Sequence, residues 1–375
     1  MAGKARRFVR RFYLGMNIAV VVLFLLSCLA SYLHPARWWF FAVLGLGFAA
    51  TLVTLILFFF FSLIIKPRYS LISLGALVLG CKSIFVFFAL SGAGSTRAGY
   101  APPKGAHTLR VVQWNVARFI EQRRNNNEGS QTRLKMLEQL RRTNADVLCF
   151  QEFIQASGEE FYDNLGYLRK ELGYRYSYFP RGAGFKNWYG QAIFSRYPLI
   201  DTGYTSFPSP GTPEKLIWGN IVLGQRIIRI YTSHLQSYKL RPEDYERIEK
   251  IKNNEDSLLP NSRSIWTKLH RATTIRGTQA DLVRAELDRC SYPFVFTADL
   301  NDVPNSYAYH TVRGPLRDAF LEKGFGVGRT FNALAPTLRI DYIFTTPDFE
   351  VLQFQRVARD LSDHYMLVAD LQWRR

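Results

Sequence analysis

Three apolar stretches, at residues 14–33, 38–65 and 69–91, constrain this chain more than any other feature. Each is long enough to cross a hydrocarbon core of about 30 Å, which takes around 20 helical residues. The second carries no charge from Trp38 to Ile65. The third is interrupted by Lys82, which can reach the interface from a helix end but is costly in mid-span. Residues 1–106 hold eleven Lys or Arg and no Asp or Glu. An all-α transmembrane anchor of about three helices is therefore expected over 1–91.

Basic residues orient that anchor. Lys4, Arg6, Arg7, Arg10 and Arg11 precede the first stretch and favour a cytoplasmic N-terminus. One basic residue, Arg37, lies in the next connection and two, Lys66 and Arg68, in the one after. Three spans then place the rest of the chain outside the cytoplasm, on an inner or plasma membrane, whereas two would keep it inside. A cleavable signal over 1–30 is the rival reading, since Leu25-Leu26-Ser27-Cys28 loosely resembles a lipoprotein processing site. Two further apolar stretches would still anchor that product, so a permanent first span is preferred. Residues 92–107, small and Gly/Pro-rich, read as a flexible linker.

A net charge of +18 and a pI near 9.8 would ordinarily point to nucleic acid or an anionic surface. Of the 48 basic residues, however, only 37 lie beyond residue 106, against all 30 acidic ones. Much of the excess is topology charge, which weakens the nucleic-acid inference. Cys28, Cys81, Cys149 and Cys290 show neither a CxxC nor a Cys/His spacing that suggests zinc, and read as structural or inert.

From Thr108 the pattern changes to short apolar or alternating runs. Segments 109–116, 145–153, 191–199, 227–235, 293–301, 339–346 and 364–373 suit strands. Helical spacing appears at 131–142, 158–172, about 241–254 and 270–289. Strands with interspersed helices predict a layered α/β domain over 108–375. Several of these buried-looking strands end in polar side chains: Asn115, Glu152, His234, Asp299 with Asn301, and Asp341; Asp363 and His364 open another. A carboxylate at the end of an apolar strand is expensive unless paired, hydrogen-bonded or metal-bound. Oxygen ligands without thiolates suit a hard cation, Mg²⁺ or Mn²⁺.

The marks QWN (113–115), QE (151–152), SRYP (195–198), SHLQS (233–237), ADLNDVP (298–304), RIDYIF (339–344) and SDH (362–364) stand in one order. In that order they resemble the endonuclease/exonuclease/phosphatase superfamily, here as a membrane-anchored, bacterial-type member. The resemblance spans about 108–375 and departs from the commoner GDFN only in ADLN, which keeps the Asp and Asn. It implies an α/β fold, a two-sheet sandwich flanked by helices, and a Mg²⁺-dependent phosphoric ester hydrolase. It assigns Glu152 as principal metal carboxylate with Asn115 and Asp363 nearby. Asp299 would orient or deprotonate the attacking water, and Asn301 would hold that water or a phosphate oxygen. His364, oriented by Asp341, would contact the phosphate, and His234 would donate to developing charge or the leaving oxygen. In-line displacement at phosphorus needs these parts: an activated water, neutralised equatorial oxygens and help for the leaving oxygen.

Blander readings stand beside each. Glu152 could cap a helix or pair with an arginine, and Asn115 could satisfy a turn. Asp302 and Asn305 suit the turn and helix N-cap after the strand, and Ser362 suits loop support. His34, His107, His270 and His310 match no motif. Asn187 and Tyr189, with Trp188, could line the substrate cleft or simply pack a loop.

Substrate stays open between a nucleic acid and a phospholipid headgroup. Arg118, Arg123, Arg124, Arg133 and Arg141 favour the first. Tethering to a bilayer, with the SHLQS form that resembles sphingomyelinases, favours the second. A phosphomonoesterase on inositol or sugar phosphates and a non-catalytic membrane interaction module are the alternatives. Segment 239–269 reads as an insertion that could form a lid. Oligomeric state is not legible.

Overall fold

A computed structural model describes residues 2–91, 104–105, 108–125, 128, 130–180, 187–208, 214–240, 243–244, 246, 258–333, 335–357 and 360–374. Apart from Lys104 and Gly105, the linker expected over 92–107 lies outside the described residues, as does much of the middle of 239–269. The chain divides into two compact units. One comprises Met1–Phe88, Tyr238–Ala280 and Asp302–Thr311, the other Ala89–Ser237, Asp281–Asn301 and Val312–Arg375.

The first unit opens with five helices: α1 (Ala2–Leu29), α2 (Pro35–Leu46), α3 (Phe48–Ile65), α4 (Pro67–Leu79) and α5 (Cys81–Phe87). Lys4–Leu29 and Phe48–Ile65 are long and apolar enough to cross a membrane. Helices α4 and α5, bent by 62° about Gly80, make a third crossing if they form one broken span. The stretch 38–65, expected as one helix, is two. Trp38 departs from helical geometry (φ −131°, ψ 41°), and Gly47, the residue type with the weakest helix propensity after proline, separates α2 from α3.

Apolar surface faces outward from these helices, as at Phe8, Phe12, Ile64 and Leu79. Their interior is tied by polar groups. Asn17 Nδ2 donates to Ser62 Oγ and Tyr69 O, both at 3.3 Å, and Ser73 Oγ donates to Asn17 Oδ1 at 2.9 Å. Tyr13 donates to Phe58 O. An unmet amide in hydrocarbon is costly, so these bonds fix α1 against α3 and α4.

The same unit includes part of α8 (Leu258–Asp288) and part of the short α9 (Tyr307–Arg313). These pack on the α1–α2 turn: Tyr32 lies 5.2 Å from the His310 ring, His34 4.8 Å from Tyr307, and Trp39 4.9 Å from His270. Arg276, fully buried, bonds Asp302 at 3.0 Å and lies over the Tyr238 ring.

The second unit is built on two six-stranded mixed sheets. The first contains β1 (Leu109–Asn115), β2 (Val147–Ala156), β3 (Tyr176–Tyr178), β4 (Asn187–Ser195), β11 (Phe349–Val357) and β12 (Met366–Trp373), ordered β11-β12-β1-β2-β4-β3. The second contains β5 (Leu199–Ser206), β6 (Lys215–Leu223), β7 (Arg226–His234), β8 (Phe294–Asp299), β9 (Arg317–Asp318) and β10 (Asp341–Thr345), ordered β5-β6-β7-β8-β10-β9. Each sheet has one parallel pair, β1–β2 and β7–β8.

Alternate residues of a strand face opposite ways. Val111, Val147, Cys149 and Ile193 join Ile217, Ile230, Val295 and Ile343 in the core between the sheets. Val112, Trp114, Leu148 and Phe150 pack on the other face with Met136, Leu137 and Leu140 of α6 (Thr132–Thr143) and Leu168 of α7 (Asn164–Lys170). Burial on both faces explains the consecutive apolar residues Val111-Val112 of β1 and 147–150 of β2. The pattern over 158–172 yields helix only from Asn164, because Asp163 Oδ1 caps Gly166 N at 2.8 Å and Gly158 is left-handed (φ +136°). All four cysteines are free.

Candidate active site

Parallel pairing makes two strands end on the same side of a sheet, and here it delivers polar residues in rows. His234 pairs with Asp299, and Asp299 with Asp341, so β7, β8 and β10 present all three on one face at one level. On the first sheet Asn115 pairs with Gln151, and Glu152 follows at the next position. Beside each parallel pair stands a left-handed non-glycine residue, Glu152 within β2 (φ +51°) and Asn301 just after β8 (φ +52°). Glu152 sits where the β2–β4 register shifts between Phe150 and Phe153. Such a bulge re-aims a side chain.

The side chains converge. Asn115 Nδ2 donates to Asp299 Oδ2 at 3.0 Å and lies 3.5 Å from Glu152 Oε1. His234 Nε2 is 3.4 Å and His364 Nε2 3.7 Å from Asp299 Oδ2. Asn301 N donates to Asp299 Oδ1, and Asn301 Nδ2 to Leu235 O. His364 Nδ1 bonds Asp341 Oδ2 at 2.9 Å. Trp114 Nε1 donates to His364 O, and the Phe331 ring lies 4.9 Å from the imidazole.

Burial and neighbouring charge set the protonation. Burial, followed by the Asp299 charge, pushes the Asp341 carboxyl up against the pull of His364. For His364 burial alone would lower the pKa, but Asp341 and then Asp299 outweigh it and lift the imidazole to about 10. Asp341 Oδ1, the oxygen turned away from His364, accepts from Gln113 Nε2.

Most of the residues expected from sequence are brought together: Asn115, Glu152, His234, Asp299, Asn301, Asp341 and His364. Asp363 is exposed, and its Oδ1 lies 3.2 Å from Ser362 Oγ. Ser362 itself donates to Asn115 O and accepts from His364 N. The side chain of Asn187 lies outside the described residues. Tyr189 lies beneath Arg118, whose guanidinium is 4.9 Å above the ring and 3.7 Å from Glu152 Oε2. Asp302 makes its turn through Val303 N but also pairs with Arg276. The α9 cap is Ser306, whose Oγ accepts from Tyr309 N, rather than Asp302 or Asn305.

Among the described residues, Asp299, Asp341 and His364 offer ligand atoms within 4.8 Å of one another. Asp341 and His364 already satisfy each other, whereas the Glu152 side chain is one-quarter exposed and lies 3.7 Å from the half-exposed Arg118. Three converging carboxylates with amides, and no thiolate, fit a hard divalent cation.

Residues 112–364 match the model of the Endonuclease/Exonuclease/phosphatase family, about two-thirds of the chain. The chain belongs to this family. A second match, to a domain of unknown function (DUF8431), covers residues 10–87. No curated protein matches the chain. Similar solved structures include an endonuclease/exonuclease/phosphatase from Beutenbergia cavernae (20% identity, 71% of this chain and 72% of that one, TM-score 0.47). The human nocturnin catalytic domain with bound sulfate anion is 17% identical over 72% of this chain and 96% of that one (TM-score 0.49). A family protein from Bacteroides thetaiotaomicron is also 17% identical, over 72% and 98% (TM-score 0.47). Enzymes of the endonuclease/exonuclease/phosphatase family are phosphoric ester hydrolases and generally use divalent metal ions.

Sequence reasoning passed over Gln113, Gln151 and Thr330. Thr330 Oγ1 accepts from Ile340 N and Asp341 N, and no motif spacing announces it. Gln113 and Gln151 were visible as amides inside otherwise apolar strands.

Proposed function

We propose that this protein is a membrane-anchored, Mg²⁺-dependent phosphodiesterase that hydrolyses a lipid headgroup phosphodiester by in-line attack of water. The observation that carries the hydrolytic reading is the single row His234–Asp299–Asp341 facing Asn115, Glu152 and His364. Glu152 and Asn115 would hold the cation, with Asp363 as an outer carboxylate, and Mn²⁺ would suit the same donors. A divalent ion held there would supply charge neutralisation for the phosphate's non-bridging oxygens. Asp299 accepts the proton of the attacking water, and Asn301 fixes that water or a phosphate oxygen. His364, protonated and held by Asp341, binds the phosphate, and His234 donates to the leaving oxygen.

Two observations support a lipid over nucleic acid. The residues that follow Asn301, from Asp302 to Thr311, belong to the same compact unit as the membrane helices. The arginines that suggested nucleic acid are largely engaged: Arg133 is buried against Asn164, Arg141 contacts Glu138 and Tyr167, Arg123 lies over Phe161, and Arg124 bonds Phe161 O. Placement outside the cytoplasm is supported within the first unit, where Trp266, Tyr307 and His310 pack on the α1–α2 turn and the start of α2, at the end of α1 away from its five basic residues.

The test is a substrate panel on the purified full chain with Mg²⁺ or EDTA: single- and double-stranded DNA, RNA, sphingomyelin, phosphatidylinositol phosphates and a generic phosphodiester. Metal-dependent release of lipid headgroups is expected. Cleavage of nucleic acid alone would replace the lipid reading with a tethered nuclease, and no turnover of any substrate would remove the hydrolase reading. A reporter fused at the C-terminus that is active only in the cytoplasm would reject the orientation.

A further inference from the structure

Gln113 is wholly buried at the middle of the site-facing side of β1, two residues before Asn115. Its amide nitrogen donates twice, to Asp341 Oδ1 at 2.9 Å and to Gln151 Oε1 at 2.7 Å. Gln151, also wholly buried, donates in turn to Thr232 Oγ1 at 2.8 Å. A chain of amides thus runs from β7 through β2 and β1 to β10, crossing between the two sheets, and ends on the carboxylate that holds His364. Turning the Gln113 amide over would set its carbonyl against two acceptors, so only one orientation is stable.

This arrangement is poor as packing. Gln113 Oε1 has no hydrogen-bond partner among the described residues, and an orphaned buried carbonyl is destabilising where a Met or Leu side chain of similar size would carry no such penalty. Its use lies at the other end of the side chain. Asp341 has two oxygens to satisfy in a buried setting. One is committed to His364 Nδ1, and Gln113 donates to the other.

We infer that Gln113 is a positioning residue: it locks the Asp341 carboxylate, and through it the His364 ring, in the orientation the hydrolytic step requires, with Gln151 holding Gln113 in turn. This rests on the phosphodiesterase reading for its kinetic consequence but not for its structural one. Replacing Gln113 by Met keeps the volume and removes both donors. Because a hydrogen bond to a buried charge is at stake, kcat is expected to fall about 10- to 100-fold with KM within about twofold of the parent. The effect should vanish in an Asp341→Asn background, since Gln113 acts only through that carboxylate.

The experiment is the double-mutant cycle of Gln113→Met and Asp341→Asn on the full chain, assayed on whichever substrate the parent cleaves. Its companion is the ¹⁵N-histidine spectrum of parent and Gln113→Met, read at the Nδ1–H signal of His364. Non-additive kinetics, or a displaced or lost Nδ1–H signal, supports the inference. Equal losses in both backgrounds, or unchanged kcat with an unchanged signal, overturns it. If the parent hydrolyses nothing, the spectrum alone decides, and the failure belongs to the function rather than to Gln113. Should Gln113→Met not fold, Gln151→Met takes its place, with a smaller loss of the same kind.

Discussion

The two sheets build their halves of the site differently. In the second sheet His234, Asp299 and Asp341 stand in one register row, all nearly or fully buried, so ladder hydrogen bonds alone set their spacing. In the first sheet Glu152 is aimed by a register irregularity, and Arg118 by a run of left-handed residues from Ala117 to Ile120; both side chains reach solvent. One half is dry, and its Asp341 holds the His364 imidazole that comes from the segment before β12 of the first sheet. The other is open, which suits a cation and a substrate that must come and go.

The largest effect should come from the dry half. Asp299→Asn leaves the ladder intact but removes the carboxylate that Asn115, Asn301, His234 and His364 all face. Activity should fall about 10³-fold or more, and raising Mg²⁺ should not restore it. Steady-state rates across a Mg²⁺ series, with circular dichroism to check the fold, measure this; substantial recovery at high metal would erase the distinction between the halves. Glu152→Gln should cost about 100-fold at limiting Mg²⁺ and recover in part as Mg²⁺ is raised, because an open ligand position is weakened rather than dismantled. An equal deficit at every metal concentration would move Glu152 into the other half. The smallest effect is that of Arg118→Ala. Removing a half-exposed cation 3.7 Å from Glu152 should tighten Mg²⁺ binding by only about threefold, because solvent screens the pair. Calorimetric titration with Mg²⁺ reads it directly, and weaker binding in the variant would show that Arg118 supports the cation site instead of competing with it.

The dry half was the more legible in sequence. His234, Asp299 and Asp341 each end or begin an apolar run, and a charged group in such a place already needs a partner. Glu152 was legible for the same reason, but its bulge was not, since a single inserted residue leaves the composition of β2 unchanged. Strand β5 was missed because IDTGYTS is largely exposed and reads as a loop, and β11 because its own irregularity between Val351 and Gln353 breaks the alternation. The pairing of Arg276 with Asp302 joins positions 26 apart through a fold that no local spacing encodes. Gln113 stands within the QWN mark without a signal of its own, because an amide next to Trp114 and Asn115 gains its meaning only once the opposite sheet is in place.

A tether needs nothing but leucine. Asn17, buried among Ser62, Ser73 and Tyr69, asks for more: with a one-residue slip of α1 its amide would lose those partners among apolar neighbours. These helices are therefore keyed as well as greasy, and exchanging them for a generic apolar hairpin would keep the apolar surface while discarding the helix arrangement that the α1–α2 turn presents.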